Sequence, residues 1–314
     1  MLPVDPKTGY RYIHVIPSSW GPFVDIRACW IELSKRRPWT HVFDSNELSA
    51  RFVEMKSDPA NLFIVWSMTD ARSIARHGRA SKLFVVYSEA MDEDGAVLLP
   101  SHLAHWHTFK DVAANLDGVF AHTPWMVDML RRANRPTFVM PAGWDPFVMG
   151  GPKRDAHPHQ LVSYHGSMVG RREVIVPALP KAFSRCHQDG ESRFEDVSGL
   201  YGRSLLGKLD TSAVSLYIAH SLVRSFSTWR LWQCASSSTV LVAEPGDTWP
   251  FEAGLHYHEI PRFTLDNVGA LTHQITGLAQ DRECLNEMAS EAHALARKYT
   301  VDYIEDHFIQ PAAV

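Results

Sequence analysis

Two α/β units, each built on a doubly wound parallel sheet, are the architecture this chain predicts. Three observations lead there. Short apolar segments alternate with stretches whose apolar residues recur at helical spacing. A segment rich in Gly, Pro and charge, residues 150–159, interrupts that series, and the alternation then restarts. A length of 314 residues is long for one core and comfortable for two domains of about 150 residues each. The expected domains are therefore 1–150 and 151–314, with terminal helices placed to pack back on the first.

The elements follow in order. Tyr12-Ile13-His14-Val15-Ile16 reads as a buried strand, with the loop Pro17-Ser18-Ser19-Trp20-Gly21-Pro22 after it. Residues 23–34 carry apolar side chains at helical spacing. Thr40-His41-Val42-Phe43 is a second strand, followed by a helix over 47–56. Leu62-Phe63-Ile64-Val65-Trp66 is a third, residues 71–77 suit a short helix, and Leu83-Phe84-Val85-Val86-Tyr87 is a fourth. Gly118-Val119-Phe120-Ala121 and Thr137-Phe138-Val139-Met140 bracket a helix that starts at Pro124, a residue favoured in a first turn. Short apolar strands separated by helices argue for a parallel sheet covered on both faces.

After the interruption, Leu161-Val162-Ser163-Tyr164 is a strand and Gly166-Ser167 a turn. A helix is expected over 172–186, with Pro177 and Pro180 at its start or interrupting it. Val214-Ser215-Leu216-Tyr217-Ile218 and Val240-Leu241-Val242 are further strands. Residues 266–307 are largely helical, with Leu271, Ile275, Leu278, Leu285, Met288 and Leu295 at core spacings. Open parallel sheets bind ligands at the carboxyl ends of their strands, so functional groups are sought there.

Composition narrows the classes. Hydrophobic content of 45% with 21% charged residues fits a soluble globular protein. With 31 basic and 35 acidic residues, a net charge of −4 argues against a broad nucleic-acid-binding face. The four cysteines lie far apart without a C-x-x-C pair, which speaks against zinc ribbons and disulfide frameworks and for reduced thiols in a cytoplasm. The opening residues lack a basic region followed by an apolar stretch, so no signal peptide is expected. No apolar run approaches the roughly 18 residues of a membrane span.

The most informative stretch runs from Ser225 to Glu244. A polar turn opens an amphipathic helix, the small residues Ala235-Ser236-Ser237-Ser238 end it, and the apolar strand Val240-Leu241-Val242 follows. Small residues let a backbone approach a ligand, and a helix N-terminus offers unpaired N–H groups to a phosphate. Upstream, Tyr164-His165-Gly166-Ser167 is followed by Gly170-Arg171-Arg172.

Arg230-Leu231-Trp232-Gln233-Cys234-Ala235-Ser236 resembles the R-L-F-E-A-x-A-C-G phrase of glycosyltransferases with the GT-B fold. The upstream segment resembles the F-V-G-S…R-R opening of the second domain in spore-maturation (CgeB-like) transferases. Tyr257-His258-Glu259-Ile260-Pro261 resembles the strand before their terminal helices. The resemblance implies two Rossmann-like domains facing across a cleft, the first for an acceptor and the second for a nucleotide sugar. It implies a donor site of Gly166, Ser167, Arg171, Arg172, Ser225, Arg230, Gln233 and Glu244. Guanidinium groups would neutralise the diphosphate. Gln233 stands where the family has an acid toward the ribose, and Ser225 where retaining members have a glutamate. The sugar, the nucleotide and the stereochemical outcome stay open.

On the acceptor side, Trp20 and Gly21 follow the first strand, and Asp25 and Glu89 are the carboxylates at strand ends that suit a base. His102, His105 and His107 cluster on one segment, with His107 as an acceptor contact. The absence of G-x-G-x-x-G disfavours a nicotinamide cofactor. The expected activity is a metal-independent transfer from a nucleotide sugar, UDP-sugar favoured, to a hydroxyl, with no cofactor, by a cytoplasmic monomer or homodimer. The acceptor is a glycan, a small molecule or a hydroxymethylated base in phage DNA, the last requiring a basic strip such as Lys110, Arg131, Arg132 and Arg135. Alternatives are a non-catalytic two-domain nucleotide- or sugar-binding protein and a metal-dependent hydrolase built on His102, His105 and His107.

Overall fold

The apolar runs of the first half become six strands, and the residues between them become helices. A computed structural model describes residues 2–17, 23–88, 100–131, 135–151, 160–188, 202–220 and 229–314. Its elements begin with β1 (Arg11–Val15), α1 (Phe23–Arg36), β2 (Thr40–Phe43), α2 (Ser45–Ser49), α3 (Phe52–Met55), β3 (Asn61–Val65) and α4 (Met68–Ala75). They continue with β4 (Lys82–Tyr87), α5 (Pro100–Ala113), β5 (Gly118–Ala121), α6 (Pro124–Arg131) and β6 (Thr137–Val139). The sheet order is β2-β1-β3-β4-β5-β6, and every neighbouring pair is parallel. The order reverses between β1 and β3, the point where such sheets open a crevice at their carboxyl ends.

Helices on both faces explain why β1, β3 and β5 are buried along their whole length. One face carries Ile13, Val15, Phe63, Val65, Leu83, Val85 and Val119, packed with Ile74, Phe109, Val112, Met126 and Leu130 of the covering helices. On the other face His14 stacks on Trp30 of α1, centroids 3.9 Å apart. His14 is sealed from water, and that burial lowers its pKa to about 3.

Among the described residues, this unit comprises those up to Asp145 together with Tyr299–Val314. The closing segment is α13 (Val301–Ile304), a π-helical turn (Glu305–Ile309) and α14 (Gln310–Ala313). Charge explains its seat. Arg36 and Arg37, at the end of α1, donate to Asp302 at 2.7 Å and to Asp306 at 2.7 and 2.9 Å. Glu305 is fully buried and accepts from Thr40, Arg37 and Trp39 at 2.6, 2.9 and 3.1 Å.

The second unit, Pro146–Lys298, has its own sheet. Its elements are α7 (Pro146–Met149), β7 (Gln160–Ser167), α8 (Arg172–Ala178), β8 (Ser184–Gln188), α9 (Gly202–Leu209) and β9 (Ser212–Tyr217). Then come α10 (Trp229–Ala235), β10 (Val240–Ala243), β11 (His258–Glu259), α11 (Val268–Gln280) and α12 (Arg282–Lys298). The order β11-β10-β9-β7-β8 is again parallel throughout and again reverses beside the first strand. Val162, Tyr164, Val214, Leu216, Val240 and Val242 form its core with Ile175, Leu271, Ile275 and Leu285.

Three local expectations are corrected. The helix expected over 172–186 stops at Ala178: Leu179 is extended, as a residue before proline prefers, and Ser184–Gln188 is an edge strand. Its polar sequence hides it, because edge strands tolerate polar residues. Gly166 and Ser167 are not a turn. They extend β7, pairing with His187 and Gln188 of that unforeseen strand. The helix expected over 47–56 is two short ones, α2 and α3. Asp44 and Glu47 form a reciprocal capping box that starts α2 earlier, and Phe52 at the start of α3 turns onto Phe63, centroids 6.1 Å apart.

His14 yields a stability test. Between pH 6.5 and 3 the unfolded chain protonates this residue and the folded chain does not, so stability falls as pH falls through that window. We expect His14→Gln to flatten the dependence of urea stability on pH by up to about 1.4 kcal/mol per pH unit. Parallel curves for parent and variant would contradict a neutral buried imidazole.

Candidate functional site

The carboxyl ends of β7, β9 and β10 are tied together by one carboxylate. Glu244, the residue after β10, is fully buried and accepts four hydrogen bonds. Two come from the guanidinium of Arg171 at 2.8 and 3.0 Å. Two come from the main-chain N–H groups of Ala219 at 2.8 Å and Phe263 at 2.7 Å. Arg171 in turn donates to the carbonyls of Ala219 and Phe263 at 3.1 and 2.7 Å. The bidentate fork suits a planar guanidinium facing a planar carboxylate. Glu244, expected to border a sugar pocket, has its acceptor capacity filled inside the unit, and Arg171 is neutralised there.

Arg172 is also buried. Its Nε donates to the carbonyl of Ile218 at 2.6 Å and its guanidinium lies 5.6 Å from the centre of the Tyr217 ring. Gly166 makes room beside it: a Cβ added there would come within 2.9 Å of Tyr164 Oη and 3.5 Å of Arg172 Nη1. Glycine at this position therefore serves packing at the end of β7.

Next to this satisfied frame lie unsatisfied groups. His165 of β7 is 5% exposed, and both of its ring nitrogens are buried without a hydrogen-bond partner among the described residues. Arg230, in the first turn of α10, donates through Nη2 to the His165 carbonyl at 3.1 Å. Its Nη1 is buried and without a partner among the described residues. Each such group costs about 1–3 kcal/mol, and native structures keep few of them. Burial, reinforced by Arg230 and Lys208, lowers the His165 pKa to about 3, so the ring is neutral. Sequence reasoning quoted His165 within a motif and gave it no role. A histidine inside an otherwise packed strand was the available signal.

The remaining expected residues are placed as follows. Gln233 is buried in α10 three positions beyond Arg230, so the two share a side of that helix. Asp25 is buried in the first turn of α1. His107 is exposed on α5, with His105 half-buried on the same helix. Trp20, Gly21, Glu89, Ser225 and Arg132 lie outside the described residues, as do the side chains of His102 and Ser167. Of the basic strip, Lys110 lies 5.7 Å from the centre of the Trp106 ring, Arg131 pairs with Asp128 at 2.9 Å and Arg135 donates to the Ala114 carbonyl at 2.7 Å. Among the described residues no group of three or more His, Cys, Asp or Glu side chains is arranged to hold a metal ion, and no helix is long and apolar enough to cross a membrane.

No family model matches the chain, and no curated protein matches it. Solved structures do. HepE of Anabaena, in complex with UDP-glucose, aligns with 94% of this chain and 97% of its own at a TM-score of 0.63 and 11% identity. An α-glucosyltransferase in complex with UDP and a 13-mer DNA containing an HMU base aligns with 96% of this chain and 99% of its own, at 0.57 and 8%. TarM aligns with 82% of this chain at 0.60 and 13%, and there the chain spans 56% of the longer protein. At such identities the likeness is one of fold. The chain shares the GT-B architecture of these glycosyltransferases, two Rossmann-like domains on parallel sheets.

Removing one partner of a buried pair leaves the other charged and unpaired, at a cost of about 3–5 kcal/mol. Glu244→Ala also strands the N–H groups of Ala219 and Phe263. We expect urea unfolding to show a loss at the upper end of that range. A loss under about 1 kcal/mol would mean that the network does not hold the strand ends.

Proposed function

We propose that this chain is a glycosyltransferase that moves a sugar from a nucleotide-sugar donor, a UDP-sugar first among them, to an acceptor hydroxyl. One observation carries the reading: three buried nitrogens, two on His165 and one on Arg230, lack partners among the described residues at the carboxyl end of β7, beside the reversal in strand order. A diphosphate brings the acceptor oxygens and the negative charge that Arg230 lacks, and it can take the one N–H of the neutral imidazole. The shared GT-B architecture, and the UDP and UDP-glucose held by proteins of that architecture, support the same ligand class.

In this reading Arg230 meets the diphosphate, and Gln233, on the same side of α10, meets the ribose hydroxyls. Arg171 and Glu244 hold the strand ends in register around them. Arg172 and Gly166 belong to the surrounding wall. Fixed cationic and N–H groups stabilise the charge that develops on the leaving diphosphate, the electrostatic effect that usually contributes most to catalysis. They do so in place of a divalent ion, so transfer is expected to survive EDTA. The acceptor hydroxyl belongs to a glycan, a small molecule or a hydroxymethylated base in DNA. The α-glucosyltransferase complex with DNA supports including the last in any acceptor panel.

Thermal-shift titration tests the donor site directly. UDP at about 100 times its dissociation constant adds about 2.7 kcal/mol, a rise of several degrees, whereas NAD adds nothing. Arg230→Ala is expected to remove most of that rise while leaving the melting temperature without ligand near the parent value. No shift with UDP, GDP or any other nucleoside diphosphate would refute the reading.

A further inference from the structure

Tyr164 and His165 are neighbours on β7, and successive side chains of a strand point to opposite faces of the sheet. Tyr164 joins the apolar core of the second unit with Val162, Val214 and Leu216. His165 faces the other side, where α9 and α10 bring Lys208 and Arg230 close enough for their charges to oppose protonation of the ring. Nδ1 and Nε2 are both buried without a partner among the described residues. Arg230 makes one hydrogen bond to described residues, from Nη2 to the His165 carbonyl at 3.1 Å.

The hydrogen-bonding demand of this ring is definite. A neutral imidazole has one N–H and one lone pair, on different edges of the ring. Protonation would give two donors, but burial and the two cations hold the ring neutral near pH 7. A diphosphate oxygen only accepts, so a diphosphate meets the N–H and leaves the second nitrogen still lacking a donor. In a nucleotide hexose such as UDP-glucose, the donors nearest the diphosphate are hydroxyls. Those of the ribose lie on one side of it and those of the transferred sugar on the other.

We infer that His165 is a specificity-determining residue of the donor site, its lone-pair nitrogen accepting from a hydroxyl of the nucleotide sugar while its N–H meets a diphosphate oxygen. The inference rests on the donor-site reading above and deepens it, because ligand choice then depends on a hydroxyl as well as on charge. Arg230 answers the charge and His165 the hydroxyl. Both ring nitrogens are sealed in the free chain, so the ligand reaches them by displacing neighbouring groups. Arg230 is one of these, and it gives up only its bond to the His165 carbonyl as it turns to the diphosphate.

The test removes the hydroxyl from the ligand as well as the histidine from the protein. Calorimetry gives dissociation constants for UDP, its 2′-deoxy and 3′-deoxy forms, UDP-glucose and the analogues that lack single glucose hydroxyls. At least one deletion is expected to weaken binding to the parent about tenfold or more, and to cost His165→Phe less than about twofold. Whether that deletion lies in the ribose or in the glucose identifies the hydroxyl that the ring meets. Phenylalanine buries no unpaired nitrogen, so the melting temperature of the free variant is expected at or above that of the parent. His165→Leu replaces it where the larger ring does not fold.

The assignment is overturned when every deletion costs the parent less than about threefold, a result that needs no variant. Deletions that cost parent and variant alike overturn it too, since the hydroxyl is then read elsewhere. Uptake of about one proton per UDP, seen in the buffer dependence of the binding heat and absent from the variant, also overturns it. The ring would then be an imidazolium with two phosphate contacts. A parent that binds none of these ligands refutes the donor reading itself, a result distinct from binding that ignores the hydroxyls.

Discussion

A single buried carboxylate organises the candidate donor site. Glu244 sits where β10 ends and draws in the guanidinium that follows β7, the N–H that follows β9 and the N–H of Phe263 beyond β11. Burying a charge pair costs desolvation, which good geometry only just offsets, so such a pair adds little net stability. Its effect is positional. Four segments distant in sequence are held at fixed separations by bonds that no apolar residue could supply. The strand ends, and the groups mounted on them, depend on that arrangement.

The contrast within a few residues is informative. Arg171 and Glu244 are saturated by each other and by backbone, whereas Arg230 and His165, at the same end of the sheet, retain nitrogens unpaired among the described residues. Saturated groups are scaffold. Unsaturated buried groups cost free energy in the free protein and regain it when a ligand arrives. In the first unit, His14 is stacked on Trp30, whereas His122 is tethered through Nδ1 to the Met140 carbonyl. Both units also share a sheet order that reverses beside the first strand, so each presents its chemistry at an equivalent place.

Much of the fold was legible. The runs Tyr12–Ile16, Leu62–Trp66, Leu83–Tyr87 and Val240–Val242 are apolar but for His14, as a strand covered on both faces favours, and they became β1, β3, β4 and β10. Pro124 marked the start of α6, because proline suits a first turn. Ser184–Gln188 was not legible, since an edge strand need not be apolar, and its loss from the reading also turned the end of β7 into a supposed bend. At the site, Arg171, Arg172, Arg230 and Glu244 were visible as residue types at meaningful spacings.

Local sequence therefore determined which segments became strands and helices and which polar residues would collect at strand ends. Periodicity and turn chemistry act over a few neighbours and need no knowledge of the rest of the chain. Tertiary structure alone decided which polar groups pair. Arg171 and Glu244 lie 73 positions apart, and His122 meets its carbonyl 18 positions on. Whether a charge ends up neutralised, sealed or left open depends on what folding brings beside it, and no local pattern encodes that.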